Sequence, residues 1–181
     1  MPCLNNHTLK GIGWSCAANL AGIKAVYITY FDDVTVDLTD AVLSSHTLSA
    51  ITLASGAAWY TYEFPDNTGS LNSVLTKNIE NGTRYYTNTL ELVFNKMTAN
   101  KHLEVMALAA EKLAVIVVDK NNKMWFLGAD AYVSGINTEA GTGTSVDDRN
   151  GYTVTIEGNS AYLPFEFTGT INPTPAPTTN E

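Results

Sequence analysis

With 181 residues, 45% of them hydrophobic and only 15% charged, the chain is too apolar to be disordered and too poor in charge to be a coiled coil or a polybasic tail. A chain of this size buries about 70% of the surface that it exposes when unfolded, enough for one well-formed core, so a single domain is expected. Its net charge of −8 has the wrong sign for neutralising phosphates, which disfavours tight nucleic-acid binding but permits an acidic wall past which a polyanion slides without adhering.

The start, Met1-Pro2-Cys3-Leu4-Asn5-Asn6-His7, lacks the basic and apolar regions of an export signal, and no apolar run is long enough to span a bilayer. Neither export nor membrane insertion is expected. Cys3 and Cys16 suit neither a C-x-x-C redox site nor a zinc site, and read as reduced thiols or, alternatively, as an N-terminal disulfide. Residues 1–21 form an N-terminal arm on this reading.

In chain order, the β-branched and aromatic run Ile23 to Phe31 predicts a strand that stops at Asp32-Asp33. The stretch Thr35 to Thr52 reads as loop with one or two short strands. Ala57 to Phe64 reads as a further strand, ended by Pro65-Asp66-Asn67. The runs Ser70 to Ile79 and Thr83 to Lys96 flank Asn81-Gly82, which predicts a long hairpin closed by a type I′ turn. Alternation in the second arm places Tyr86, Asn88, Leu90, Leu92 and Phe94 on one face. One helix is expected near 99–111, capped by Thr98, with Leu103, Met106, Ala107 and Ala110 as its apolar stripe.

Leu113 to Val118 is apolar at every position, as a strand covered on both faces must be. Asp119 to Lys123 turns it back into Met124 to Gly128. Ala131 to Asn150 reads as a long loop or a weakly paired arm, and Gly151 to Glu157 as a strand with Tyr152, Val154 and Ile156 inward. Tyr162 to Phe167 predicts a final edge strand, because Pro164 has no amide to donate. The segment 171–181, with Pro173, Pro175 and Pro177, should be extended and mobile.

Signals for chemistry are weak. His7, His46 and His102 share no metal-ligand spacing. Gly141-Thr142-Gly143-Thr144-Ser145 lacks the lysine of a phosphate loop. Asp147-Asp148-Arg149-Asn150-Gly151 reads as a polar turn rather than a calcium loop, since Gly158 stands where a bidentate glutamate is needed. No nucleophile elbow is present, so no catalytic, cofactor-binding or metal site is expected. The sequons Asn6-His7-Thr8 and Asn81-Gly82-Thr83 read as chance in an Asn- and Thr-rich chain. Trp59, Tyr60, Tyr62, Tyr85 and Tyr86 have three readings: core residues, a protein interface, or a carbohydrate platform.

The order of these elements carries a resemblance. A hairpin with Asn81-Gly82-Thr83, then Tyr85-Tyr86 and Thr89-Leu90-Glu91-Leu92, precedes a single helix; Val117-Val118-Asp119, Asn121-Asn122-Lys123 and Trp125-Phe126-Leu127-Gly128 follow, then Gly141-Thr142-Gly143-Thr144 and Asp148 to Thr155. Over residues 20–168 this pattern resembles the tail ring and tube-like structural proteins of tailed bacteriophages, in particular those of crAss-like podoviruses. The longer segment from Asp33 to Ala57 and the Pro-rich tail depart from the simplest members.

The resemblance implies a mainly β fold, a β-sandwich or barrel-like core over 22–170 with one flanking helix and a long β-hairpin. It further implies a virion structural protein that closes into a ring of identical copies in the tail, beside neighbouring tail or portal-complex proteins, with DNA as non-sticking cargo and no membrane or cofactor. On this expectation the inter-subunit contacts come from Trp59, Tyr60, Tyr62, Tyr85, Tyr86, Leu90 and Leu92, and from Gly141, Gly143, Asp147 and Asp148 in the later loop. The alternatives are a monomeric Ig-like or carbohydrate-binding capsid-decoration module and, more remotely, a small hydrolase.

Overall fold

The computed structural model describes residues 11–177. The chain is mainly β, with twelve strands and two α-helices among the described residues. In chain order these are β1 (Ile23–Tyr30), β2 (Val34–Thr35), α1 (Asp40–Ser45), β3 (Thr47–Leu48), β4 (Thr52–Leu53), β5 (Tyr60–Tyr62), β6 (Ser70–Asn78), β7 (Thr83–Asn95), α2 (Ala99–Ala110), β8 (Leu113–Asp119), β9 (Met124–Leu127), β10 (Ser134–Gly141), β11 (Gly151–Ser160) and β12 (Phe165–Phe167). A six-stranded sheet has the order β3-β12-β9-β8-β1-β5, and a four-stranded sheet the order β10-β11-β7-β6.

The two sheets pack against each other in a sandwich-like arrangement. Between them lie Val26 and Ile28 of β1, Leu113, Val115 and Val117 of β8 and Leu127 of β9, facing Leu90, Leu92 and Phe94 of β7 and Tyr152, Val154 and Ile156 of β11. A second cluster covers the far face of the six-stranded sheet, where Ala114, Ile116, Phe126, Phe165 and Phe167 meet Leu48 and Trp59. The excursion between β1 and β5 supplies its lid through Val34, Leu38, Val42, Leu43 and Ile51. Residues 113–117 of β8 are therefore buried without interruption, because both faces of this strand are roofed.

Several expectations are corrected by the coordinates. The segment Thr35 to Thr52 contains the short helix α1, whose N-cap Thr39 accepts the Val42 amide at 3.4 Å through Oγ1 and whose C-cap His46 is left-handed at φ 57°. The run Ala57 to Phe64 shrinks to the three residues of β5. The β6–β7 hairpin forms, but Asn78 pairs with Thr83 and four residues intervene; Gly82 has φ 63° whereas Asn81 does not have positive φ, so the turn is not type I′. Asn78 Oδ1 instead accepts the amides of Glu80 at 2.9 Å and Asn81 at 3.2 Å, organising a wider loop. β12 is not an edge strand: it lies between β9 and the two-residue β3.

Helix α2 matches its expected span and cap, with Thr98 Oγ1 accepting the Lys101 amide at 3.3 Å. The buried face differs. Val105 and Leu108 point inward, whereas Leu103 and Met106 are 67% and 65% exposed. The helix is apolar on nearly every side, so hydrophobicity alone could not select a face. Close approach of β10 selects it: a Cβ on Gly135 would stand 2.9 Å from the Leu108 carbonyl oxygen. Residues 171–177 are not free either, since Thr174 bridges Tyr60 at the edge of β5.

Two consequences are measurable. The Thr29 hydroxyl on β1 is buried with no hydrogen-bond partner among the described residues, so Thr29→Val, which keeps the shape and removes the unpaired group, is expected to stabilise the protein by about 1 kcal/mol and raise Tm by about 2–4 °C in calorimetry. Leu92 is fully buried between the sheets, so Leu92→Lys should unfold the protomer itself at a cost of about 4 kcal/mol or more, seen as loss of the cooperative thermal transition rather than as loss of assembly alone.

Candidate functional site

The residues expected at subunit contacts fall into four separate places. Trp59, Leu90 and Leu92 are core residues, exposed by 3%, 0% and 0%. Trp59 meets Phe126 edge-on at 6.3 Å in the second cluster. In the single chain these three side chains are enclosed by its own sheets. Alternation along β7 already places Leu90 and Leu92 on the same face as Phe94, which is the inward one.

Tyr85 and Tyr86 lie instead on an arm. β11 pairs with β7 only as far as Ser160 opposite Tyr86, while β6 and β7 continue as a two-stranded ribbon to Asn78 and Thr83. Tyr85 on this ribbon and Ile79 at its tip are exposed, as are Val74 and Leu75 on the adjoining stretch of the β6 edge. At its root the buried Asn88 accepts the Ser73 hydroxyl through Oδ1 at 2.6 Å, which satisfies one polar atom where the core gives way to solvent.

The loop between β10 and β11 carries four more: Gly141, Gly143, Asp147 and Asp148. Gly141 closes β10 opposite Gly151, and Gly143 turns with φ 72°. Asp148 Oδ2 accepts the amides of Thr144 at 2.8 Å and Ser145 at 2.7 Å, and the Thr144 hydroxyl at 2.9 Å. These bonds favour the charged form and hold the Asp148 carboxyl below the ordinary carboxylate range, with the Ser145 and Thr144 amides as the largest causes. Asp148 thus ties its own turn, while Asp147 is exposed beside it. Ala131 to Asn150 is consequently the paired-arm alternative, with β10 strung along β11 through a bulge between Gly135 and Asn137.

Tyr60 and Tyr62 belong to a cleft that the sequence did not reveal. Alternation puts Val26 and Ile28 of β1 on the inner face, and Tyr30 continues that row beside Tyr60 and Tyr62 of β5, since Ile28 pairs with Tyr60 and Val26 with Tyr62. These rings, with Phe64, Phe94 and the inner side of α2, enclose about 710 Å³. Pro175, Ala176 and Pro177 form a further wall. They are held there because the Thr174 amide donates to Trp59 O at 2.7 Å and Thr174 O accepts the Thr61 amide at 3.0 Å.

Tyr62 donates its hydroxyl to Glu104 Oε2 at 3.0 Å. Burial, and then the charge of Glu104, raise its pKa well above the ordinary 10.0. Tyr30 and Glu104 were missed for different reasons. Tyr30 is readable only as the third member of the Val26, Ile28 row, whereas Glu104 was concealed by the wrong choice of helix face. Among the described residues no group of three or more His, Cys, Asp or Glu could hold a metal ion. The half-buried His46 stacks on Phe165, and the exposed His102 meets Tyr152 edge-on. His7 and Cys3 lie outside the described residues, and Cys16 is an exposed free thiol. No helix among the described residues is long and apolar enough to cross a membrane.

Neither a protein-family model nor a curated protein sequence matches the chain.

The titration of Tyr62 is predictable in sign. Its folded-state pKa is raised, so its contribution to stability is complete below pH 10.0 and is lost as pH rises beyond that value. Tyr62→Phe should therefore flatten the loss of stability between neutral and strongly alkaline pH, measured as Tm against pH.

Proposed function

We propose that the protein is a structural subunit that assembles edge to edge into a closed ring of identical copies. The observation that carries this reading is the pair of open edges on the four-stranded sheet. β6 and β10 are nine and eight residues long and, among the described residues, each pairs with one strand. Long unpaired edges are an aggregation liability unless something completes them. All four strands alternate in direction, so β6 and β10 run oppositely, and β6 of one copy laid beside β10 of the next makes an antiparallel pair. A head-to-tail contact of this type closes into a ring when the rotation allows.

The sheet's outline supports closure. β10 lies opposite the end of β7 that reaches Asn95, through β11, whereas β6 lies opposite the end that reaches Thr83. The two edges are thus displaced along the strand direction, the stagger that a tilted, closed barrel requires. The β6 edge carrying Val74 and Leu75, with the adjoining ribbon carrying Ile79 and Tyr85, would then rest on a neighbouring copy instead of in water.

Such a ring presents the outer face of the four-stranded sheet to one side. By register that face carries Glu91 of β7, Glu157 of β11 and Glu139 of β10 among Thr, Ser and Asn, with Arg149 bonded to Thr153 at 2.6 Å near its margin. An acidic, hydroxyl-rich wall repels phosphates, so DNA passing along it would remain mobile. With the resemblance in element order, this supports a place in a bacteriophage tail, around the DNA channel and next to other tail or portal-complex proteins.

Native mass spectrometry and light scattering of the full chain should reveal a discrete oligomer in concentration-dependent equilibrium with monomer. Val74→Lys combined with Leu75→Lys, at positions 61% and 49% exposed, should reduce the oligomer by at least about tenfold while leaving Tm within about 4 °C of the parent. A chain that stays monomeric at every concentration, or a double variant that assembles like the parent, would count against the ring.

A further inference from the structure

We propose that the cleft beside β5 binds an organic cation, a positively charged nitrogen bearing apolar substituents, as in a quaternary ammonium group. This site does not depend on the ring. Its volume of about 710 Å³ is within the range of small-molecule sites, and its lining is unusual in composition. Tyr30, Tyr60, Tyr62 and Phe94 from the two sheets and Phe64 from the segment after β5 bring five aromatic rings to one space, and Glu104 of α2 joins them. Tyr30 and Tyr60 are each 45% exposed, so large rings at this place face solvent in the isolated chain.

The charge balance of the cleft selects the sign of the ligand. Glu63 and Glu104 both line it. The lining cation, Lys101, keeps its charge but directs its Nζ to Asn95 O at 2.7 Å and Lys96 O at 3.4 Å, where β7 hands over to α2, so two carboxylates stand against one ammonium. Glu104 receives the Tyr62 hydroxyl on Oε2, which leaves Oε1 without a partner among the described residues. The faces of aromatic rings carry negative potential and attract cations, most strongly where water is displaced. An anion would meet the carboxylates unfavourably. A hard metal ion needs several oxygen ligands, which ring carbons do not supply. A neutral apolar molecule would cover Glu104 without pairing it. A nitrogen cation wrapped in methyl or methylene groups satisfies rings and carboxylate together. Pro175 to Pro177, fixed through Thr174 to β5, flank the space and limit its size.

The test uses the full chain titrated with choline chloride, with sodium chloride at equal ionic strength as the blank and 3,3-dimethylbutan-1-ol as the neutral isostere, followed by tyrosine-ring NMR shifts. Choline should bind saturably in the millimolar range, the neutral alcohol at least about tenfold more weakly, and Tyr60→Ala and Glu104→Gln should each weaken choline by about tenfold with the circular dichroism spectrum unchanged. A parallel titration with the Nα-acetyl amide of trimethyl-lysine separates two sources of the same group: tighter binding than choline assigns the cation to a partner protein's side chain, and weaker binding assigns it to a free small molecule. Absence of saturable shifts with both cations, or equal affinity for choline and the alcohol, would overturn the proposal.

Discussion

The fold depends on a strand with no polar face. From Leu113 to Val117 every residue of β8 is buried, so the strand is stable only when one sheet lies beneath it and a lid lies above. The four-stranded sheet meets the first demand and the excursion between β1 and β5 meets the second. Each side removes a separate set of side chains from water, Val115 and Val117 on one face and Ala114 and Ile116 on the other. Fully burying aliphatic side chains of this size stabilises by roughly 1.5–3 kcal/mol each. The segment from Asp33 to Ala57, which looks in the sequence like an irregular insertion, is thereby a structural necessity.

Period-two patterning made much of this legible. The continuous apolar run of β8, the inward row of β7 and the alternation Tyr152, Val154, Ile156 in β11 all survive in the coordinates, because each expresses a burial requirement within one strand. What was not legible required knowledge of neighbours. α2 offered two plausible apolar faces, and the choice was made by Gly135 on a strand some 30 residues later in the chain. β12 read as an edge because Pro164 precedes it, yet its two neighbours meet it only after that proline. The tail read as mobile because nothing in its own composition reveals the edge of β5 as its seat.

The same distinction applies to the candidate sites. Aromatic residues could be found in the sequence but not sorted: Trp59 is a core ring, Tyr85 stands on a projecting ribbon, and Tyr60 and Tyr62 face a cleft. Sorting them requires the pairing of β5 with β1, a contact between segments about 30 residues apart. Carboxylates divide likewise. Glu91 and Glu157 stand on the open face of a sheet, Asp148 ties a turn and Glu104 pairs with a phenol. Only the first pair contributes to a broad acidic field, and only Glu104 sits among converging rings.

The parallel pairing of β12 with β3 joins Glu166 to Thr47 and Phe167 to Leu48. Phe165 and Phe167 also supply two of the largest rings in the second cluster. During synthesis, the lid carrying Leu48 must therefore wait for nearly all of the following strands before its underside is sealed, whereas the β6–β7 hairpin pairs with itself as soon as it emerges. Distant pairings form late and slowly compared with local ones, so the nascent chain would show its wet, unfinished side on the six-stranded sheet while the four-stranded sheet is still gathering β10 and β11.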